Sequence, residues 1–590
     1  MALSIQELRP YSSLLLARAT SRRPSHHLLN AILDDIADLL ALGNAPASLR
    51  RLIQRGAPAD VQGLAVAFLH YVETVQATWT TNPTVTDTIN HLVLACIHGQ
   101  HGALLLSDST RRAPVSREFG SSARQGLGEL REIEPALLNA AFVRGEARTL
   151  WLSGTHRSTS VKADAKILSG RDLRDALDPL GDQTYVFTAA RIAGAVGGLR
   201  LPVGCSPRQS RIWVGANRSF DEFCATARSV LQRLEATATP IEAPLPIVAV
   251  PCMTATGVAR AFDVVLEPAE LLADDGSLDP ETRQTMELWA NRSSVEVTRT
   301  AGADFEAKVV LDGGVIGTLE FRVDLTNPRR VGLAVTGTPR PGHEHQHREA
   351  CTVYGRRAWV KIRYESGHTL SDGSLTEVRH RDIPFEAFDG VDFAGFDVSC
   401  EKPEPLSAIG SQTSLFCWVR KTMRAGWLAC DDGAMEIGDF VRLEQAGGGP
   451  ALSLIHVKGA KSSAANRQIS VSAYEVVTAQ AIKNLRHLDR LNLEEGLADG
   501  LKRKIGTLVW RGGRAANRQA MIRAIRRIGI DYGRRVLIVQ PHLTKARVSH
   551  ARSHPKSVDA ARLRQLDTLL IGAQADCRAL GAELRVIIAK

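Results

Sequence analysis

The sequence predicts an α/β multidomain protein: a helical N-terminal region (1–105), a mixed α/β region (106–238), a β-rich domain (239–405) and a C-terminal α/β domain (406–590). Three observations lead there. The chain has 590 residues, far more than the ~100 to 200 that one hydrophobic core usually serves. Its 44% hydrophobic and 23% charged residues are an ordinary globular composition able to bury large cores. The apolar spacing changes along the chain, with proline-bearing runs at Thr239–Pro246 and Glu401–Pro405 that read as linkers.

In the first region Leu29, Ile32, Leu33, Ile36, Leu39 and Leu40 form a stripe at helical spacing, and Asp34, Asp35 and Asp38 lie on the opposite side as a solvated face. Val61 to Val75 and Val85 to Ile97 carry similar spacing and are expected to be helical too. In the second region Ala103–Leu106, Thr149–Leu152 and Ile212–Val214 are strand candidates, while Ala136–Phe142 and Phe220–Glu235 read as helices. The polar segment Gly154–Lys166, with His156, Lys162 and Asp164, is a loop with phosphate-binding or subunit-contact character as the alternative to a structural role.

The third region has strand candidates at Phe305–Leu311, Val315–Val323, Val331–Val335, Arg357–Tyr364 and Val391–Val398. Turns at Asp312-Gly313-Gly314 and Ser371-Asp372-Gly373-Ser374 suggest a barrel or sandwich. His343, His345 and His347 alternate, but Pro339 and Pro341 just before them favour a polar loop over a zinc site.

The stretch 431–458 organises the last domain. Ile437–Leu443 and Ala451–Val457 are short apolar runs separated by the glycine-loaded Gln445–Pro450, a hairpin pattern. Asp439 is on its first strand, and His456 and Lys458, two residues apart, leave one face of its second. A helix follows, on which Gln480 and Lys483 are about a turn apart. Ser414–Arg424 reads as a helix leading into the hairpin, and the tail as a β-α-β-α-β run.

These residues resemble the PD-(D/E)XK, or restriction-endonuclease-like, nuclease superfamily, whose core is a hairpin with Asp on one strand and an acid-or-Gln-x-Lys on the next, followed by a helix that often carries Gln and Lys. The resemblance covers residues 410–500, extends toward 590, and departs from the pattern at His456. It implies a nuclease with Asp439 as the central ligand of Mg²⁺ or Mn²⁺, and Glu436 or Asp432 as the second carboxylate, because hard ions take oxygen ligands. It implies further that Lys458 orients or deprotonates the attacking water, that Gln480 and Lys483 place the scissile strand, and that a neutral His456 binds metal or accepts a proton. The helix before the hairpin lacks the Glu that this superfamily often places there, so the second carboxylate is sought at Asp431, Asp432 or Glu436.

The formal net charge is +10, and residues 501–560 contain fifteen Lys or Arg against two Asp and no Glu. That concentration points to a polyanion, DNA or RNA, with Arg511, Arg514, Arg518 and Lys504 as phosphate contacts. Nothing matches a Gly-x-x-x-x-Gly-Lys-Ser/Thr phosphate loop, so translocation would need a separate helicase or ATPase, and the resemblance implies prokaryotic restriction or antiphage defence. The nine cysteines form no Cys-x-x-Cys pair, and neither a signal-peptide pattern nor a long apolar run is present; a reduced, cytoplasmic protein without a membrane span is expected. The alternatives are a non-catalytic nucleic-acid-binding subunit with a degenerate nuclease fold and a scaffold for partner proteins.

Overall fold

The computed structural model describes residues 3–42, 50–77, 79–157, 161–174, 176–199, 201–241, 244–245, 247–267, 280–377, 380–433, 436–464, 466–500 and 504–590. The chain divides into two compact units, Met1–Leu177 with Asp182–Arg379, and Asp178–Gly181 with His380–Lys590.

The first unit is built on an eleven-stranded sheet, and this corrects the expectation of a helical N-terminal region. Residues 1–105 contain one long helix, Ser25–Leu39, as expected, but Arg50–Val61, Leu64–Gln76, Thr86–His98 and His101–Leu106 are consecutive antiparallel strands. The cause is burial on both faces. Leu64, Val66 and Phe68 enter one apolar core while Ala67, Leu69 and Tyr71 enter another. A strand covered on both sides has no polar alternation, so its continuous apolar run passes for a helical stripe. The same sheet continues through Tyr11–Ala19, Arg211–Ala216, Val203–Ser206, Tyr185–Ala193, Glu146–Gly154 and Ala165–Ser169.

Two four-stranded sheets lie in residues 261–377. The turns Asp312-Gly313 and Asp372-Gly373 hold both central residues at positive φ, which suits tight hairpins. Of the alternating histidines, His345 and His347 lie on the helix Glu344–Tyr354 and His343 is the residue before it, and His347 is buried with its Nε2 at 2.7 Å from the Thr318 carbonyl. In the Gly154–Lys166 segment the ammonium groups of Lys162 and Lys166 engage Thr184 and Asp182 of their own unit, at 2.5 and 2.6 Å. Ser158, Thr159 and Ser160 lie outside the described residues. The strand expected over Val391–Val398 is limited to Phe388–Val391.

The second unit centres on an eight-stranded mixed sheet. Phe388–Val391, Ala582–Ala589, Gly533–Thr544 and Gly449–Val457 run parallel; Phe440–Ala446, Trp427–Cys430, Val509–Arg511 and Arg514–Ala515 continue the sheet antiparallel. The helix Leu415–Thr422 begins at Ser414, whose hydroxyl accepts from the Cys417 N–H, and it packs against Phe440, Ile455 and Val457 on one face. Ser472–Lys483 and Val558–Ala579 cover the other face through Tyr474, Val477, Leu566 and Leu570 against Leu452, Leu454 and Val536. Alternate residues of Gly449–Val457 therefore enter opposite cores, which fixes the register of the hairpin.

Among the described residues no helix is long and apolar enough to cross a membrane, and all nine cysteines are free.

Candidate metal centre

The hairpin forms between Phe440–Ala446 and Gly449–Val457, joined by the two-residue turn Gly447-Gly448. Asp439 sits immediately before the first strand, opposite the end of the second. Its Oδ2 accepts from the Val457 N–H at 2.6 Å and its carbonyl accepts from the Asp431 N–H at 2.9 Å. Those two backbone bonds hold a carboxylate that is only 5% exposed.

Asp432 and Glu436 join it. The three residues each offer a carboxylate oxygen within 4.8 Å of the others. Glu436 is braced by Gln480, whose Nε2 donates at 3.3 Å, and by the Gly433 N–H at 3.1 Å. Asp432 receives the Lys402 ammonium at 3.1 Å. Burial pushes the Asp439 carboxyl well above its usual range, and the neighbouring negative charges of Glu436, Asp432 and Glu401 push it further; the Val457 N–H acts against them. A bound cation would remove that repulsion, and three hard oxygen donors suit Mg²⁺ or Mn²⁺, so this donor set fits such an ion.

Lys458 lies two residues beyond His456, but its ammonium pairs with Glu401 at 2.8 Å. Glu401 also accepts from the Gly459 N–H at 3.3 Å. Glu401 and Lys402, read from the sequence as part of a linker, thus stand beside the carboxylate group. No local signal marks them; only the folded chain brings 401–402 to residues 432–459.

Asp431 is excluded as a ligand. It is fully buried, pairs with Arg518 at 2.8 Å, and accepts from the Ile437 N–H at 3.2 Å. The expectation that Arg518 contacts phosphate is corrected by the same pair: its side chain is sealed in the core and also donates to the Cys430 carbonyl. Arg511 and Arg514 are exposed cross-strand partners, with the Arg511 guanidinium over the Trp427 ring. The Lys504 side chain lies outside the described residues.

His456 is fully buried, and neither ring nitrogen has a hydrogen-bond partner among the described residues. Burial lowers its pKa to about 4, with the Lys483 charge adding to the effect, so the ring is neutral at pH 7. It falls outside the carboxylate trio. Gly438 packs against it: a Cβ there would stand 3.3 Å from His456 Cε1 and 3.3 Å from the Ile455 carbonyl oxygen. Lys483 is exposed at the end of its helix.

Glu73, His91 and Asp108 form another close group in the first unit. Arg50 and Arg111 already neutralise it, Arg50 at 2.6 Å from Glu73 and Arg111 at 3.0 Å from Asp108, which disfavours a cation there.

No protein-family model matches the chain, and no curated protein matches it.

Proposed function

We propose that the second unit is a metal-dependent nuclease that hydrolyses phosphodiester bonds in DNA, with RNA as the other polyanion its charge suits. One observation carries the reading: Asp439, Asp432 and Glu436 converge beside two lysines at the end of a hairpin followed by a Gln-bearing helix. Mg²⁺ or Mn²⁺ would supply charge neutralisation at the scissile phosphate and a more acidic water. The chain's own residues do the rest. Asp439, Asp432 and Glu436 would hold the ion, and Gln480 keeps Glu436 turned inward. Lys458, held by Glu401 and 40% exposed, stands where it can meet a phosphate oxygen or the attacking water. Arg511 and Arg514 offer guanidinium groups to the phosphate backbone. Catalysis in the cytoplasm with a separate helicase or ATPase belongs to the same proposal.

A second reading, a nucleic-acid-binding subunit with a decayed site, is favoured by one feature: Lys458 is engaged by Glu401. Cleavage of plasmid DNA in Mg²⁺ or Mn²⁺ separates the two. The nuclease reading expects cutting that is lost in Asp439→Ala and Lys458→Ala; it fails if the wild-type protein binds DNA without cutting, or if cutting survives both changes.

A further inference from the structure

Of the two lysines beside the carboxylate group, Lys458 has a task in the proposed chemistry and Lys402 has none. The Lys402 ammonium stands 3.3 and 3.1 Å from the two carboxylate oxygens of Asp432, so one cation spans both oxygens of a residue assigned to the divalent ion. Among the described residues this is the one ion pair that Asp432, Glu436 and Asp439 make, and the charges of Asp432, Glu401 and Asp439 all act on it.

The backbone here is held, while the lysine side chain is free to move. The Leu415 and Phe416 N–H groups donate to the Cys400 and Glu401 carbonyls at 2.9 and 3.0 Å, and the Ala460 N–H donates to the Val398 carbonyl at 2.7 Å. These bonds pin residues 398–401 to the start of the helix Leu415–Thr422 and to the chain just beyond the hairpin. The Lys402 side chain is 46% accessible, against 12% for that of Asp432. A long flexible stem in a part-exposed pair swings into water at small cost, so the ammonium can leave while Asp432 stays in place.

An ammonium and a divalent ion on one carboxylate repel each other, and more strongly in a partly buried site than in open water. Carboxylates gathered without a cation also repel, which the lysine relieves. We propose that Lys402 is a built-in counter-ion that competes with the divalent ion for Asp432 and so raises the metal concentration at which the centre fills. This rests on the reading of Asp439, Asp432 and Glu436 as an ion site and adds a control on that site.

Mn²⁺ titrations of the full chain, followed by the electron paramagnetic resonance of free Mn²⁺ at one pH and ionic strength, test it. Lys402→Met and Lys402→Gln should each bind Mn²⁺ about tenfold or more tightly than the wild type, because each removes the competing charge. Lys402→Arg keeps a cation there and should stay within about threefold of the wild type. Asp439→Ala should abolish the site in the wild-type and Lys402→Met backgrounds alike. The inference alone is overturned if the site is lost with Asp439 but Lys402→Met and Lys402→Gln bind no more tightly than the wild type, or if Lys402→Arg gains as much as they do. Binding that Asp439→Ala leaves unchanged, or no binding by any variant at millimolar Mn²⁺, overturns the ion site itself and the inference with it.

Discussion

The Arg518 guanidinium meets the Asp431 carboxylate at 2.8 Å with both side chains almost completely withdrawn from solvent. The pair joins the start of the helix Arg518–Arg527 to the loop that delivers Asp432 and Glu436, so a structural ion pair supports the carboxylate group from beneath. Arg518→Ala takes the guanidinium charge away from the buried Asp431 carboxylate. Such a loss costs about 3 to 5 kcal/mol. Denaturant unfolding of Arg518→Ala, compared with the double variant that also carries Asp431→Asn, checks this: the second change should recover part of the loss.

Asp439 supplies a pH signature. Its folded-state pKa is raised, so its contribution to stability is fully present below the unfolded carboxyl value and is lost as pH rises through the folded one. Without divalent ions the wild-type melting temperature should therefore fall over that rise more than that of Asp439→Asn. Mn²⁺ must displace the proton, so its affinity should climb with pH, by about one log unit per pH unit where one proton is released. Thermal melts and calorimetry across a pH series would show both trends.

On the proposed nuclease reading, Glu401 positions Lys458. Their pair is part-exposed, with side chains 25% and 40% accessible, so Glu401→Gln should change stability by less than about 1 kcal/mol. A misplaced ammonium is costlier for chemistry, and single-turnover cleavage should slow by up to about 10²-fold. Unchanged cleavage with unchanged melting would remove Glu401 from the site.

Arg511 and Arg514 bear on affinity through salt. If each neutralises one phosphate, the double Ala variant should lower the slope of log Kobs against log salt by about 1.8 on duplex DNA. Binding isotherms over a range of KCl concentrations give the slope. No change would assign these arginines to solvent.

How far the sequence discloses this architecture depends on what each residue's neighbours are. The hairpin and the helix Ser472–Lys483 are legible because their apolar runs, glycine turn and periodicity are local. Asp432 and Glu436 are legible because few residues separate them from Asp439. Leu64–Gln76 is not, since burial on both faces erases the alternation that marks a strand. Glu401 is not, because it reaches Lys458 and Gly459 only through the fold. Arg518 misleads for the opposite reason: an arginine in a basic stretch resembles a phosphate ligand until its buried partner is known.

The central claim is that Asp439, Asp432 and Glu436 share one divalent ion. Anomalous diffraction from crystals of the protein soaked in Mn²⁺ addresses it directly. The account expects a peak about 2.1 Å from a carboxylate oxygen of Asp439 and of at least one of the other two, abolished in Asp439→Ala. A peak elsewhere in the molecule, or none at millimolar Mn²⁺, would contradict it.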